Sequence, residues 1–276
     1  MKYHKIEVKT NSTAKPPFYT GSMLRGAFGY TLKQVTCINP SYKCEGCFGA
    51  DNCLYYEFYE KKNSFHKFRF DIELGSKNYD FSLYLFEEAC EKLPYILSAL
   101  EKLTIQKGIG RDSVKFNNTE IYVDNNLVFK DKKFKSLSFK SKSFENDIFC
   151  RNIKLKLLTP IRIKKNNRFL IGNLELEDIL RSILQRKNEL KGKERLFKLN
   201  YDAQYLVPMS NLKTQKLSRY SNRQKKKMSM DGVVGEMVVM NLDKKSYELL
   251  KLGEIIGVGK QTVMGLGKIE VENLEF

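Results

Sequence analysis

The strongest constraint on this chain is the order in which its apolar residues change period. Residues 2–9 alternate weakly, as a strand does. The loop TNSTAKPPFYTGS follows, kept irregular by Pro16 and Pro17. Over 22–35 the period becomes helical, with Met23, Leu24, Ala27, Phe28, Leu32 and Val35 along one side. Residues 64–75 and 78–88 read as strands joined by a loop near Gly75 to Asn78. Ala89, Leu93, Ile96, Leu97, Leu100 and Leu103 return to helical spacing over 89–104. A glycine turn then leads into a strand over 107–118, with another at 120–129 beside it. The sum is strand–helix–strand–strand–helix–strand.

The second half starts the same order again. A strand at 150–163 ends near Pro160, and a helix over 174–187 turns Leu176, Ile179, Leu180, Ile183 and Leu184 inward. A long charged stretch, 186–227, comes next. A strand at 229–242 bends at Gly235, a helix at 245–260 runs into glycines, and a last strand covers 267–276. No exact internal repeat accompanies this order. The expected class is α+β, with two tandem ferredoxin-like domains. The first spans 1–147 and carries a cysteine-bearing insert, 36–56. The second spans 148–276, after a polar, basic linker at 130–144.

Charge narrows the partners. Lys and Arg number 49 against 32 Asp and Glu, a formal net charge of +17. Such a field draws polyanions, nucleic acid first and an anionic membrane surface second. No apolar run reaches the ~18 residues of a membrane span. The N-terminus has no apolar signal core, so a reducing cytoplasm is the expected compartment.

Within the charged stretch, 211–227 holds Lys213, Lys216, Arg219, Arg223, Lys225, Lys226 and Lys227 and no acidic residue. Tyr220, Ser221 and Asn222 interleave with them. Cations around an aromatic fit a single-stranded nucleic-acid surface, against the plainer reading of a solvated loop. The glycine-rich loop 257–267 sets Gly257, Gly259, Gly265 and Gly267 around Lys260, which suits a phosphate backbone through exposed N–H groups and positive charge. It lacks the spacing of a P-loop. The plainer reading is a tight helix-to-strand connection.

On the first helix Arg25, Gly29 and Lys33 lie opposite the apolar side, with Gly26 and Tyr30 beside them. That surface offers charge and little bulk to an approaching backbone; close packing against a strand is the competing explanation. The cysteines Cys37, Cys44, Cys47 and Cys53 read C-x6-C-x2-C-x5-C. The central pair has metal-site spacing, and four thiolates can close a structural zinc site or hold an iron–sulfur cluster. Free cysteines or a redox pair are the alternatives. Cys90 and Cys150 stand alone. The two histidines, His4 and His66, form no nucleophile triad, and no acidic cluster suited to magnesium lies near the basic segments.

In GSMLRGAFGYTLKQVTC, the cysteine pair followed by CLYYEFYE, VPMSNL, RYSNRQKKKMSMDGVVGEM and LGEIIGVGKQTVMGLGKIEV, the chain resembles the CRISPR-associated endoribonucleases that process precursor guide RNA. They belong to the repeat-associated RNA-binding superfamily. The resemblance implies tandem ferredoxin-like domains and binding of CRISPR repeat RNA. It also implies one cut per repeat by attack of a 2′-hydroxyl on the adjacent phosphate, without metal. Several members have histidine where this chain has Tyr30; histidine-less members use lysine and arginine. The site residues implied are therefore Tyr30, Lys33 and Arg25, with His66 a further candidate base. Lysine, with a reference pKa near ~10.4, suits the acid role better than the base. Arg219, Arg223 and Lys260 would clamp phosphates. A non-catalytic RNA-binding subunit of a CRISPR effector complex and a zinc-stabilised regulator are the alternatives. Other effector subunits are further partners, and monomer and dimer both remain open.

Overall fold

The computed structural model describes residues 1–62, 65–110, 112–136, 138–165, 167–221 and 224–274. The chain divides into two compact units between Ser143 and Phe144.

The first unit runs β1 (Lys2–Lys9), α1 (Gly21–Thr36), β2 (Phe68–Asp71), β3 (Phe81–Phe86), α2 (Leu93–Glu101), β4 (Glu120–Val123), β5 (Asn126–Lys130), β6 (Lys133–Phe134) and β7 (Lys142–Ser143). Its sheet has the order β2-β3-β1-β4-β5-β6, with β7 paired to β1 and all neighbours antiparallel. The register opposes Ile6 to Leu83 and to Val123, which puts them on the buried face. Leu24, Phe28 and Leu32 of α1 and Ile96 and Leu100 of α2 are buried with them.

The second unit runs β8 (Ile153–Ile161), β9 (Lys164–Lys165), β10 (Arg168–Phe169), α3 (Leu176–Leu190), β11 (Leu206–Gln215), β12 (Ser218–Ser221), β13 (Lys226–Ser229), β14 (Gly232–Met240), α4 (Lys244–Ile256) and β15 (Ile269–Asn273). The main sheet is β11-β14-β8-β15, and β9–β10 and β12–β13 form separate hairpins. Reading the four main strands of each unit in chain order gives the same arrangement, second-third-first-fourth. This is the tandem ferredoxin-like architecture.

Some expected elements change. Residues 107–118 make one isolated bridge, Ile109 to Val114, not a strand. The 120–129 strand is a hairpin, because Asp124 and Asn125 both take positive φ (51° and 73°) and turn the chain. The polar 130–144 segment contributes β6 and β7 to the sheet. The charged 186–227 stretch hides β11, a ten-residue edge strand exposed over most of its length. Exposure on both sides erases the alternation that reveals a half-buried strand. The basic 211–227 segment is thus the end of β11 and most of the β12–β13 hairpin.

Candidate nucleic-acid interface

The α1 surface is built differently from its sequence reading. A helical turn from the cysteine insert, Tyr56–Glu60, lays its rings on it. Tyr55 and Tyr59 stack with centroids 5.2 Å apart, and Tyr59 lies 6.0 Å from Phe68 of β2. Gly29 is buried, and a Cβ there would stand 2.5 Å from the Tyr59 ring. The space left by Gly29 is filled by tyrosine, not kept for a nucleic-acid backbone. Gly26 differs, with nothing within 4 Å of its Cβ position.

Arg25 is half-buried, not bare. Its guanidinium sits 4.3 Å from the Tyr59 centroid and 5.8 Å from that of Phe68. The Tyr59 hydroxyl donates to the Arg25 carbonyl at 2.8 Å. Nη1 of Arg25 is buried with no hydrogen-bond partner among the described residues. The Lys33 ammonium lies 4.9 Å over the Tyr55 ring. His66 joins this group from the other end of the insert. Its ring is 6.1 Å from Phe68, and Nδ1 donates to the Glu57 carbonyl at 3.1 Å. In the neutral ring that bond leaves the lone pair on Nε2. Arg25, Lys33 and His66 thus gather around one aromatic cluster. Tyr30 faces elsewhere on the helix, half-exposed, with the Lys107 ammonium 5.0 Å over its ring.

Burial pushes the Tyr55 phenol up to about 12, with Glu60 adding to the effect. Burial also drives the Tyr59 phenol well above its ordinary value, against the opposing charge of Arg25. Both stay protonated near neutrality. They are ring platforms and donors, not bases. The sequence reading missed them, although 54–60 carries Leu54 and Phe58 inward with Tyr55 and Tyr59 four apart.

In the second unit the glycine-rich loop is a shaped connection. Gly257, Gly259, Gly265 and Gly267 have φ near 77–79° and are buried. A Cβ at Gly267 would strike the Val258 carbonyl, and one at Gly259 would come within 2.6 Å of the Arg162 carbonyl. The N–H groups expected to face a phosphate are used inside the protein. Gly257 donates to Gly253, Val258 to Gly267, Lys260 to Arg162, Gly265 to Thr262 and Gly267 to Pro160. The Gly259 N–H donates to Ser182 Oγ at 2.9 Å. What the loop offers outward is the exposed Lys260.

The hairpin keeps more of its expected character. Tyr220 is 61% exposed and pairs across strands with Lys227. Lys213, Lys216, Lys225 and Lys226 are exposed. Arg219 is half-buried opposite Met228, its Nη2 3.5 Å from the Met228 sulfur. Ser221 is buried, and its Oγ accepts the Gln224 N–H, so it serves the turn. Arg223 lies outside the described residues. The base of the hairpin closes through the Leu217 N–H, which donates to Asp231 Oδ1 at 2.7 Å.

Arg162 is a residue that sequence reasoning passed over. It is 5% exposed. Nε donates to Gln261 Oε1 at 2.9 Å, Nη1 donates to the Asp231 carbonyl, and the guanidinium lies 4.2 Å from the Phe169 centroid.

The four insert cysteines are partly buried and carry no disulfide. The Cys47 N–H donates to the Cys44 carbonyl at 3.3 Å, a tight turn suited to two thiolates on one metal. Among the described residues, no three His, Cys, Asp or Glu side chains converge into a metal-holding group. Cys90 is buried, which pushes its thiol up to about 12 and leaves it inert. Among the described residues no helix is long and apolar enough to cross a membrane.

Residues 1–138 match the AF_1859_N family, an N-terminal domain, and residues 155–269 match the CRISPR-associated endoribonuclease Cas6 family. No curated protein matches the chain. Among solved structures, a Cas6 (TTHB231) product complex is similar over 98% of both chains at 16% identity and TM-score 0.57. Thermus thermophilus Cas6 (TTHB231) is similar over 98% of this chain and 97% of that one, at 15% identity and TM-score 0.54. A Cas6-related protein of Pyrococcus furiosus is similar over 99% of this chain and 100% of that one, at 15% and 0.51. With the AF_1859_N domain over half its length and the Cas6 match in the second unit, the chain belongs to the AF_1859_N family and has the fold and homology of the Cas6 family of CRISPR-associated endoribonucleases.

Proposed function

We propose that this protein cuts CRISPR repeat precursor RNA without metal, by attack of a 2′-hydroxyl on the adjacent phosphate. The O2′–P bond forms, the P–O5′ bond breaks, and the product carries a 2′,3′-cyclic phosphate. The observation that carries this reading is Arg25. Its cation is fixed on two rings and holds a buried Nη1 that has no hydrogen-bond partner among the described residues. A desolvated donor of this kind is costly unless an acceptor arrives. A phosphate oxygen gaining charge in the transition state is such an acceptor. Lys33 is the candidate acid for the leaving O5′ and His66 the candidate base for the 2′-hydroxyl, whereas Tyr30, expected from the sequence to share the site, is turned toward Lys107. Lys260 and the β12–β13 hairpin hold the RNA backbone. The similar Cas6 (TTHB231) structure is a product complex, which supports an enzymatic reading.

The test is single-turnover cleavage of a labelled repeat RNA in EDTA. Cutting is expected, and replacing the 2′-hydroxyl by hydrogen at the cut site should abolish it while binding persists. Lys33→Ala should slow the cut by roughly 10²–10⁴-fold where a general acid is lost, with far less effect on affinity, and Tyr30→Phe should slow it much less. An absolute need for magnesium, or free 3′-hydroxyl ends, would overturn the mechanism. Binding without cutting would make the chain a non-catalytic RNA-binding subunit.

We also propose a structural zinc held by Cys37, Cys44, Cys47 and Cys53 in a reducing cytoplasm. Four thiolates leave no open position for water, so the metal would fold the insert and not enter the reaction. Metal analysis of untagged protein should find one zinc per chain, and Cys44→Ser with Cys47→Ser should lose it and lower the melting temperature. A metal-free wild-type protein would refute this.

A further inference from the structure

The β9–β10 hairpin has no evident place in the core. It pairs with neither main sheet, and Lys164, Lys165 and Arg168 are exposed. Phe169 is half-buried, and its ring is covered by the Arg162 guanidinium at 4.2 Å and approached by the Lys164 ammonium at 5.0 Å. The Leu170 N–H donates to the Ile163 carbonyl at 2.9 Å and closes the base. An isolated two-stranded hairpin is marginal in water. This one is tied to its surroundings largely through Arg162.

Arg162 makes the hairpin part of a larger arrangement. Its carbonyl accepts the Lys260 N–H at 2.8 Å, and its Nε holds Gln261 in the same loop. Its Nη1 reaches the Asp231 carbonyl, whose side chain closes the β12–β13 hairpin through Leu217. Three separate cation-bearing elements therefore meet at one buried residue: Lys164 and Arg168 of β9–β10, Lys260, and the β12–β13 hairpin. The carboxylates that face these segments in the hydrogen bonds and ion pairs of the described residues are already engaged. Asp231 accepts the Leu217 N–H, and Asp178 pairs with Arg181 at 2.6 Å and Lys165 at 3.6 Å. Cations held in place on the segments that Arg162 joins suit a run of phosphates.

We propose that the β9–β10 hairpin is a second phosphate-binding arm for the RNA, with Lys164 and Arg168 its contacts and Arg162 the positioning residue that sets it beside Lys260. This rests on the RNA-binding reading given above.

The test compares four variants for binding of a labelled CRISPR repeat RNA across a salt series. The first is Lys164→Ala with Arg168→Ala. The second is Lys225→Ala, Lys226→Ala and Lys227→Ala, which reports the RNA-binding reading itself. The third, Lys132→Ala with Lys133→Ala, removes two exposed charges from the β5–β6 turn of the first unit. Each lost phosphate contact lowers the slope of log K against log salt by roughly 0.7–0.9. The first variant should therefore lose about 1.4–1.8 units, with an unchanged melting temperature, and the third should match wild type. Arg162→Lys keeps the charge but loses the fork. As the fourth variant it should weaken binding where the Lys132→Ala, Lys133→Ala control does not, and its melting curve separates displacement of the hairpin from unfolding. A first variant with wild-type slope beside a weakened second one would refute the arm and leave RNA binding intact. A third variant weakened as much as the first would refute it as well, by reducing the effect to net charge. No change in any variant would remove both readings.

Discussion

Two glycines three residues apart on α1 do opposite work. Gly26 has open space where a side chain would be, so Gly26→Ala should gain about 1 kcal/mol of helix stability. Gly29→Ala would push a methyl into the Tyr59 ring at 2.5 Å, and that ring is held by its hydroxyl bond to Arg25. Overpacking of this kind costs roughly 1–3 kcal/mol, enough to outweigh the gain in propensity. Denaturant melts of both variants check the pair, and equal shifts in one direction would sink the account. The sequence made the small residues beside Arg25 visible. It did not reveal what fills the space, because Tyr59 is thirty residues away and its approach depends on how the insert folds back.

At the scale of elements, the β12–β13 hairpin depends on one carboxylate. Asp231 accepts the Leu217 N–H and, helped by the Ser229 hydroxyl and nearby Arg162, is held below the ordinary aspartate range. A lowered folded value means that its stabilisation is complete above the unfolded value of ~3.9. It is lost as pH falls through the lower folded value. The hairpin base should stay closed at neutral pH and open only in acid. Amide exchange at Leu217 and Met230 is the measure, and opening near pH 6 would contradict it. The helices and central strands of both units were legible in the sequence because each has one buried face, which leaves a period of 3.6 or 2. The Leu24, Phe28 and Leu32 stripe of α1 and the Ile179, Leu180 and Ile183 stripe of α3 are examples. β11 and the two small hairpins bury too little to print a period, so they read as charged loop. Their cations were visible; their geometry was not. The glycine loop takes the plainer of the two forms its sequence allowed, because four positive-φ positions whose N–H groups are already bonded make a fixed turn that presents Lys260 outward.

Across the whole molecule, the same sheet order appears twice on two different sets of residues, and that order was legible because it rests on element sequence and not on any one side chain. The candidate chemistry was less so. Tyr30, Lys33, Arg25 and His66 could be named, but Arg25, Lys33 and His66 are brought together by rings from the insert while Tyr30 turns toward Lys107. Arg162 looked like an ordinary strand residue, since nothing local shows that it meets residues 69 and 99 positions away.

The exposed edge of β11 has a consequence for the protein in the absence of any partner. Ten residues of open strand, with Leu206, Val207 and Met209 outward, form a template on which another copy could pair. Pro208 removes one donor from that edge. The rest of the protection comes from Lys213, Lys216 and a surplus of seventeen positive charges, which keep copies apart. Salt shortens the reach of that repulsion. The ionic strength that would release the RNA proposed above therefore also lowers the protein's guard against self-association, so colloidal stability and the proposed RNA release pull against each other along a single axis.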